Sequence, residues 1–259
     1  MFKFFSKIRF NLIGTNKTGK YIKYATGEIF LVVIGILIAL QVNNWNEDRK
    51  ERAIEQNYLE RLLVDLENDN TTLTFSKGLS ADRIHQIRIL NTMVEGTSIA
   101  SPNEVIESIE KVTWRSYLPL SKIVYNELLN SGQMSLIKSE ELRSLLTSYY
   151  DDADHWEMIL NREDAQKEFS HATAGILSIE VLTAIENAAS LRNVDVEEDF
   201  SLYLEPNEFE DIVQKFSTNE DAIKWLPQIH HYHVLSDKVI GNLSEQNQTI
   251  RTLVESQIK

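Results

Sequence analysis

One apolar segment near the amino end constrains most strongly what this chain can fold into. Residues 24–45 begin at Tyr24, end at Trp45 and contain the uninterrupted apolar run 29–40. A helix over this segment would be about 31 Å long at about 1.5 Å per residue, close to the roughly 30 Å hydrocarbon core of a bilayer. Tyr and Trp are typical of the two membrane interfaces. The sequence therefore predicts a transmembrane helix over residues 24–45.

The run 29–40 is by itself also compatible with the core of a signal peptide or with a buried helix of a soluble protein. Two observations favour the membrane span over these alternatives. No cleavage site of small residues follows Leu40, and residues 43–52 continue as helix-forming sequence rather than as a processing site.

Charge predicts how the span is oriented. Residues 1–23 contain basic residues and no acidic residue, whereas the whole chain has a net charge of −13. Positive flanks stay in the cytoplasm. We therefore expect residues 1–23 to form a basic cytoplasmic juxtamembrane arm and residues 46–259 to form an acidic domain on the opposite side. Such a domain disfavours nucleic acid as a partner. The basic residues of the arm are Lys3, Lys7, Arg9, Lys17, Lys20 and Lys23.

Hydrophobic periodicity predicts that the membrane helix continues beyond the bilayer. Apolar residues recur at helical spacing over residues 46–94, with Leu59, Leu66 and Leu73 seven residues apart. Poor helix formers at 68–72 and at Gly78 predict a break within this helix. Only nine Gly and four Pro in 259 residues favour few, long helices over a sheet.

Capping signals divide the rest of the chain. Ser101 with Pro102 and Glu104 predicts a helix start and a helix to about residue 112. Ser121 is the expected cap of a helix that ends at Gly132, and Ser139 is the expected cap of one continuous helix over 140–189.

An acidic loop is expected over 193–205, with at most a short extended piece at 200–204. One helix is expected after Pro206. A second is expected to start after Asn219 and to end at Pro227, and a last helix is expected to start at Gln228. The predicted fold class is mainly α, with a single N-terminal transmembrane helix that continues into a long-helix, bundle-like extracytoplasmic domain.

Four segments carry a resemblance to a known family. They are residues 27–46 around the apolar run, residues 125–132, residues 136–143, and the pair Tyr149 and Tyr150. Together they resemble domain of unknown function 6090, an uncharacterised family of bacterial membrane proteins, over nearly the whole chain. The resemblance implies a bacterial membrane protein and no activity. Combined with the orientation expected from charge, it leads us to expect a protein of the bacterial inner membrane with a periplasmic carboxy-terminal domain.

Candidate metal ligands are confined to acidic and histidine residues because the chain has no cysteine. Asp152 with His155, and Glu168 with His171, have the i, i+3 spacing of carboxylate-bridged di-iron bundles. Such bundles need the pairs on facing helices, whereas here one helix is expected to carry both. His230 and His233 are a further candidate pair. The ordinary interpretation of all six residues is a surface or core-rim position, so no metal and no cofactor is predicted.

A second candidate site lies within the membrane span itself. Gly35 and Ala39 form a small-xxx-small pair that would let two helices approach closely, and Glu28 offers either a headgroup contact or a polar contact between spans. Self-association through this face is therefore a hypothesis.

No catalytic fingerprint, such as Gly-x-Ser-x-Gly or His-Glu-x-x-His, is present in the chain. The sequence therefore favours a non-enzymatic, membrane-anchored interaction or scaffold protein of the bacterial envelope. Its expected partners are the lipid bilayer and other envelope proteins or a second copy. A metal-dependent envelope enzyme and a small-molecule sensory domain remain as alternatives.

Overall fold

The computed structural model describes residues 18–115, 118–190 and 199–258. All regular secondary structure within these ranges is helical, which confirms the predicted mainly α fold. The chain divides into two compact units, residues 1–57 and residues 58–259. Of the predicted basic arm, residues 1–17 lie outside the described residues.

Helix α1 (Thr18–Val94) supplies the apolar segment of the first unit. The large apolar side chains of this segment are exposed, with Phe30 at 63% and Leu37 at 58% of their full accessible surface. By length and composition α1 can cross a membrane, and it is the one helix of the described chain that can.

The same helix continues through the poor helix formers at 68–72 and Gly78, so the predicted break is wrong. Packing outweighs helix propensity here, because Leu66, Asp69 and Leu73 are fully buried within the second unit, to which this part of α1 belongs. The exposed Thr71 hydroxyl donates to the Glu67 carbonyl at 3.1 Å.

Eight further α-helices follow among the described residues. They are α2 (Pro102–Lys111), α3 (Ile123–Asn130), α4 (Glu140–Leu160), α5 (Asp164–Thr173), α6 (Ile179–Ser190), α7 (Glu208–Ser217), α8 (Glu220–Ile223) and α9 (Leu226–Gln257). Two short 3₁₀ helices lie at Met134–Leu136 and Phe200–Tyr203.

Local capping signals were predicted correctly at two sites. Ser101 caps α2 in a capping box with Glu104, and Pro102 occupies the first turn. Ser139 caps α4 by accepting a hydrogen bond from the Leu142 N–H at 3.1 Å.

Three other expectations are corrected. The helix predicted over 140–189 is three helices, α4, α5 and α6, and Gly175 between α5 and α6 has a φ of +81° that favours glycine. The expected extended piece at 200–204 is largely 3₁₀ helix. Pro227 does not end a helix but lies in the first turn of α9, where a missing N–H costs no intrahelical hydrogen bond.

The second unit has two clusters of buried apolar residues. The first contains Leu59, Leu62 and Leu66 of α1 together with residues of α3, α4 and α9. The second contains Ile87 and Leu90 of α1 together with residues of α2 and α5 to α9. Helix α1 thus contributes to both clusters, and α9 packs along α4.

Candidate functional site

The predicted helix-packing face in the apolar segment is open within a single chain. Gly35 and Ala39 are exposed, and a Cβ added at Gly35 would meet no atom within 4 Å. Glu28 is partly buried on the same helix. The small residues thus leave room for a second helix, as the small-xxx-small pattern requires.

The two predicted carboxylate and histidine pairs lie on different helices, which corrects the expectation that one helix carries both. Asp152 and His155 belong to α4, and Glu168 and His171 belong to α5. All except Asp152 are exposed. The partly buried Asp152 accepts a hydrogen bond from Gln246 Nε2 at 3.0 Å. No group of three or more His, Asp or Glu side chains is placed to hold a metal within the described ranges.

His230 and His233 share α9 but occupy different surroundings. His230 is exposed, whereas His233 is fully buried. His233 Nε2–H donates to the Val112 carbonyl at 3.0 Å, because a carbonyl oxygen can only accept, so Nε2 carries a proton. Burial lowers the pKa of His233 to about 4, and the nearby Arg83 and His230 act in the same direction. We conclude that His233 is a core residue rather than half of an exposed pair.

Arg83 is the charged residue near His233. It is only 5% exposed, its guanidinium lies 5.3 Å from the centroid of the Trp114 ring, and it donates to Gln86 Oε1 at 3.1 Å. Burial lowers the pKa of Arg83. The cation is thus stabilised by an aromatic face and an amide within the second apolar cluster.

A buried polar network that sequence reasoning missed lies in the first apolar cluster. Its centre is Asp69 of α1, which is fully buried. The hydroxyls of Tyr149 and Tyr150 lie 3.1 and 3.4 Å from Asp69 Oδ2, and the Ser121 N–H donates to Asp69 Oδ1. Asn247 Nδ2 of α9 donates to the Tyr149 hydroxyl at 3.3 Å. The network therefore connects α1, α4, α9 and the segment before α3.

Asp69 is a carboxyl group without an ion pair among the described residues. Its pKa is raised to about 6: burial is the main cause, the hydrogen bonds from Ser121 and Tyr149 oppose the shift, and the nearby Asp65 adds to it. Burial also raises the pKa of Tyr149 and Tyr150, so both hydroxyls are neutral donors at pH 7. The carboxyl is held by hydrogen-bond donors rather than by a cation.

Asp65, one turn before Asp69 on α1, holds the start of α3. Its Oδ2 accepts from the Val124 N–H at 2.9 Å, and its Oδ1 accepts from the Ser121 hydroxyl at 2.8 Å. The prediction that Ser121 caps this helix is wrong, because the cap position is Lys122, whose side chain makes no capping bond. A side chain distant in sequence therefore supplies the cap.

The buried network around Asp65 and Asp69 fits a role in stabilising the fold better than a catalytic role. Asp65 and Asp69 are both buried, and their oxygens are occupied by groups from other segments of the same chain. The sequence does contain a signal for the two buried acids, because both lie on the apolar face of the helix formed by Leu62, Leu66 and Leu73. An acid on the buried face of a helix requires donors from the elements packed against it.

Comparison with known proteins identifies a family but no function. A family model described as a family of unknown function (DUF6090) matches residues 28–191, more than half of the chain. The match includes Tyr149, Tyr150 and both buried acids, whereas Asn247 lies outside it. No curated protein and no solved structure matches the chain. The chain thus belongs to the family of unknown function DUF6090.

Proposed function

We propose that this protein is a single-pass, membrane-anchored helical interaction or scaffold module of the bacterial envelope. The observation that carries the proposal is the exposed apolar segment of α1. Contiguous exposed apolar surface on this scale is typical of a membrane or protein contact, and residues 24–45 have the length of a bilayer span. The same helix continues into the core of residues 58–259, so the anchor and the helical domain share one backbone.

The proposed location is the bacterial inner membrane, with the amino end in the cytoplasm and the carboxy-terminal domain in the periplasm. Support comes from charge: the six basic residues of the arm precede the span, and the chain as a whole has a net charge of −13. The lipid bilayer is then one partner. Other envelope proteins, or a second copy bound through the face of Gly35 and Ala39, are the proposed others.

A binding role is favoured over catalysis by the surroundings of the acidic and histidine residues. The most strongly perturbed carboxyl, Asp69, is enclosed among donors of its own chain, and His233 is bonded to a backbone carbonyl in the core. His155, Glu168 and His171 are exposed, like ordinary surface residues. An interaction module requires none of these groups to react.

Membrane fractionation of the full-length protein tests the anchor. The wild-type chain is expected in the membrane pellet after alkaline carbonate extraction. Leu37→Arg places a charge in the middle of the apolar run at a cost of about 3 kcal/mol for insertion, so it should shift part of the protein to the soluble fraction or to aggregates. Val64→Arg is the matched control, since Val64 is 56% exposed on the same helix outside the run.

Protease added to spheroplasts tests the orientation separately. The carboxy-terminal domain should be digested in intact spheroplasts, and a tag at the amino end should be protected until the membrane is permeabilised. Wild-type protein that is extracted by carbonate contradicts the anchor. A carboxy-terminal domain that survives until permeabilisation contradicts the orientation alone.

A further inference from the structure

The helical domain, residues 58–259, has two lobes that surround its two apolar clusters. Lobe 1 surrounds the first cluster, whose buried residues lie within 58–73, 118–160 and 239–254. Lobe 2 surrounds the second cluster, whose buried residues lie within 87–112 and 165–229. The chain therefore passes between the lobes in α1, after α2, between α4 and α5, and in α9.

The two helices that pass between the lobes have polar residues at their buried positions there. In α9 the buried residues between the clusters are His233 and Ser236, whereas Tyr232 and Leu235 are only partly buried against the first cluster. Hydrophobic stabilisation is proportional to the apolar area removed from water, so little of it joins the lobes along these helices. The buried residues of α1 between the clusters are Ser76, Ser80, Arg83 and Gln86.

The contact between α1 and α9 at this level is made by small and charged groups. The Ser80 and Ser236 hydroxyl oxygens lie 3.4 Å apart. Arg83 is only 5% exposed, and its Nε–H has no acceptor among the described residues. A charged group in place of a buried apolar side chain weakens the packing at this level.

Each of the two helices also has a glycine at or next to this level. Gly78 is the one glycine of α1 within residues 58–94, and Gly241 is the one glycine of α9. A Cβ at Gly241 would lie 3.8 Å from Lys77 Nζ, which shows that the two glycines are near each other along the helix pair. Glycine and serine within a helix are common sites of bending.

The two loop connections between the lobes are held to each other by Arg115. Its guanidinium, in the connection after α2, donates to Asn161 Oδ1 at 2.9 Å and lies 2.6 Å from Glu163 Oε1, both in the connection between α4 and α5. Both side chains of the ion pair are partly exposed, so the pair is weak enough to open and reform.

We propose that lobe 2 moves relative to lobe 1 about a hinge formed by residues 74–86 of α1 and 230–238 of α9, with the contacts of Arg115 restraining the motion. A partner that binds one arrangement of the lobes better than another would shift their populations. The hinge goes beyond the proposed anchoring role, because it lies entirely within the helical domain.

Distances between pairs of spin labels, measured by double electron–electron resonance on the full-length protein in detergent, test the hinge. The chain has no cysteine, so labels attach only at introduced ones. Ser148→Cys in lobe 1 with Gln214→Cys in lobe 2 reports on the lobes, since both positions are exposed. We expect its distance distribution to be broader than those of two control pairs. The controls are Ser148→Cys with Gln248→Cys inside lobe 1, and Glu180→Cys with Gln214→Cys inside lobe 2.

Two further substitutions change the hinge itself. Gly78→Ala should narrow the distribution between the lobes, because alanine stiffens the helix and a Cβ at Gly78 meets no atom within 4 Å. Arg115→Gln should broaden it, because the ion pair between the connections is lost. Lys167→Gln is the matched control, since Lys167 pairs with the same Glu163 but within α5 and its neighbouring residues. It should leave the distribution unchanged.

The outcomes separate as follows. A broad distribution between the lobes that responds to Gly78→Ala or to Arg115→Gln, with unchanged control pairs, supports the hinge. A distribution between the lobes as narrow as those within them overturns it. A broad distribution that neither substitution changes, or that Arg115→Gln and Lys167→Gln change equally, also overturns it. Failure of the membrane anchor is detected separately, by fractionation.

Discussion

Asp65 Oδ2 accepts a hydrogen bond from the Val124 N–H at 2.9 Å, so a side chain of α1 caps the amino end of α3. The second oxygen of the same carboxylate accepts from the Ser121 hydroxyl at 2.8 Å. This contact connects the long helix to residues 121–124, which lie directly before the segment 125–132 that resembles the family. The start of α3 thus depends on tertiary structure.

Asp65→Ala should lower the free energy of unfolding of the helical domain by about 1–3 kcal/mol, because it leaves a buried N–H and a hydroxyl without an acceptor. Urea unfolding of the full-length protein in detergent, followed by circular dichroism, measures the change. Glu60→Ala is the control on the same helix, since Glu60 is exposed. Equal effects of the two substitutions would contradict the capping role.

Asp69 should make the domain less stable as pH rises from about 4 to about 6. Its pKa is about 6 in the folded protein against a usual value of 3.8, so the folded state binds the proton more tightly than the unfolded chain in this window. The shift corresponds to about 3 kcal/mol that is present below pH 4 and lost as pH rises through the folded pKa. Asp69→Asn should remove this contribution.

Urea unfolding at several pH values between 4 and 7 tests this dependence. The difference in free energy of unfolding between Asp69→Asn and the wild type should change with pH. The corresponding difference for Glu60→Gln, at an exposed position, should change much less. A constant difference for Asp69→Asn would mean that Asp69 ionises normally in the folded chain.

His233 should act in the opposite direction. Its pKa is about 4 in the folded protein against 6.5, so the unfolded chain binds the proton first as pH falls. The neutral buried ring therefore contributes stability that is present above pH 6.5 and lost as pH falls towards 4, again about 3 kcal/mol. The contributions of Asp69 and His233 largely cancel in the wild type.

His233→Gln retains a donor for the Val112 carbonyl and removes the titration. Relative to the wild type, the variant should therefore gain about 3 kcal/mol in free energy of unfolding as pH falls from 6.5 to 4, as measured by urea unfolding. His231→Gln, at the exposed neighbouring position of α9, should behave as the wild type does. A difference between His233→Gln and the wild type that stays constant over this pH range would contradict the lowered pKa of His233.

The features that could be predicted correctly are those set by residues close together in the sequence. The starts of α2 and α4 follow from Ser101 with Glu104 and from Ser139, whose partners lie three residues away. The apolar segment likewise follows from composition alone. Gly175, with its φ of +81°, was a local signal for the end of α5, but the apolar spacing of 140–189 outweighed it in the prediction.

Features set by distant residues were not predictable in the same way. Asp65 and Val124 are far apart in sequence, so the cap of α3 was assigned to the adjacent Ser121. The network around Asp69 requires α4 and α9 to meet α1, and no local pattern fixes that packing. The ion pair between Arg115 and Glu163 depends on the segment after α2 lying against the start of α5, which is also a tertiary relationship.

Gly35→Leu should weaken self-association if two chains pack through their apolar segments. Apart from the adjoining residues of its own helix, no atom lies within 4 Å of a Cβ at Gly35, so a larger side chain there extends from the helix towards any neighbouring molecule. Loss of close helix approach should weaken dimerisation about tenfold, which corresponds to about 1.4 kcal/mol. Crosslinking in membranes at several expression levels measures the dimer fraction. Gly78→Leu is the matched control, because Gly78 is an equally open glycine of the same helix and lies outside the apolar segment. Recovery of monomer alone from the wild type, or an unchanged dimer fraction in Gly35→Leu, would exclude this face as the contact.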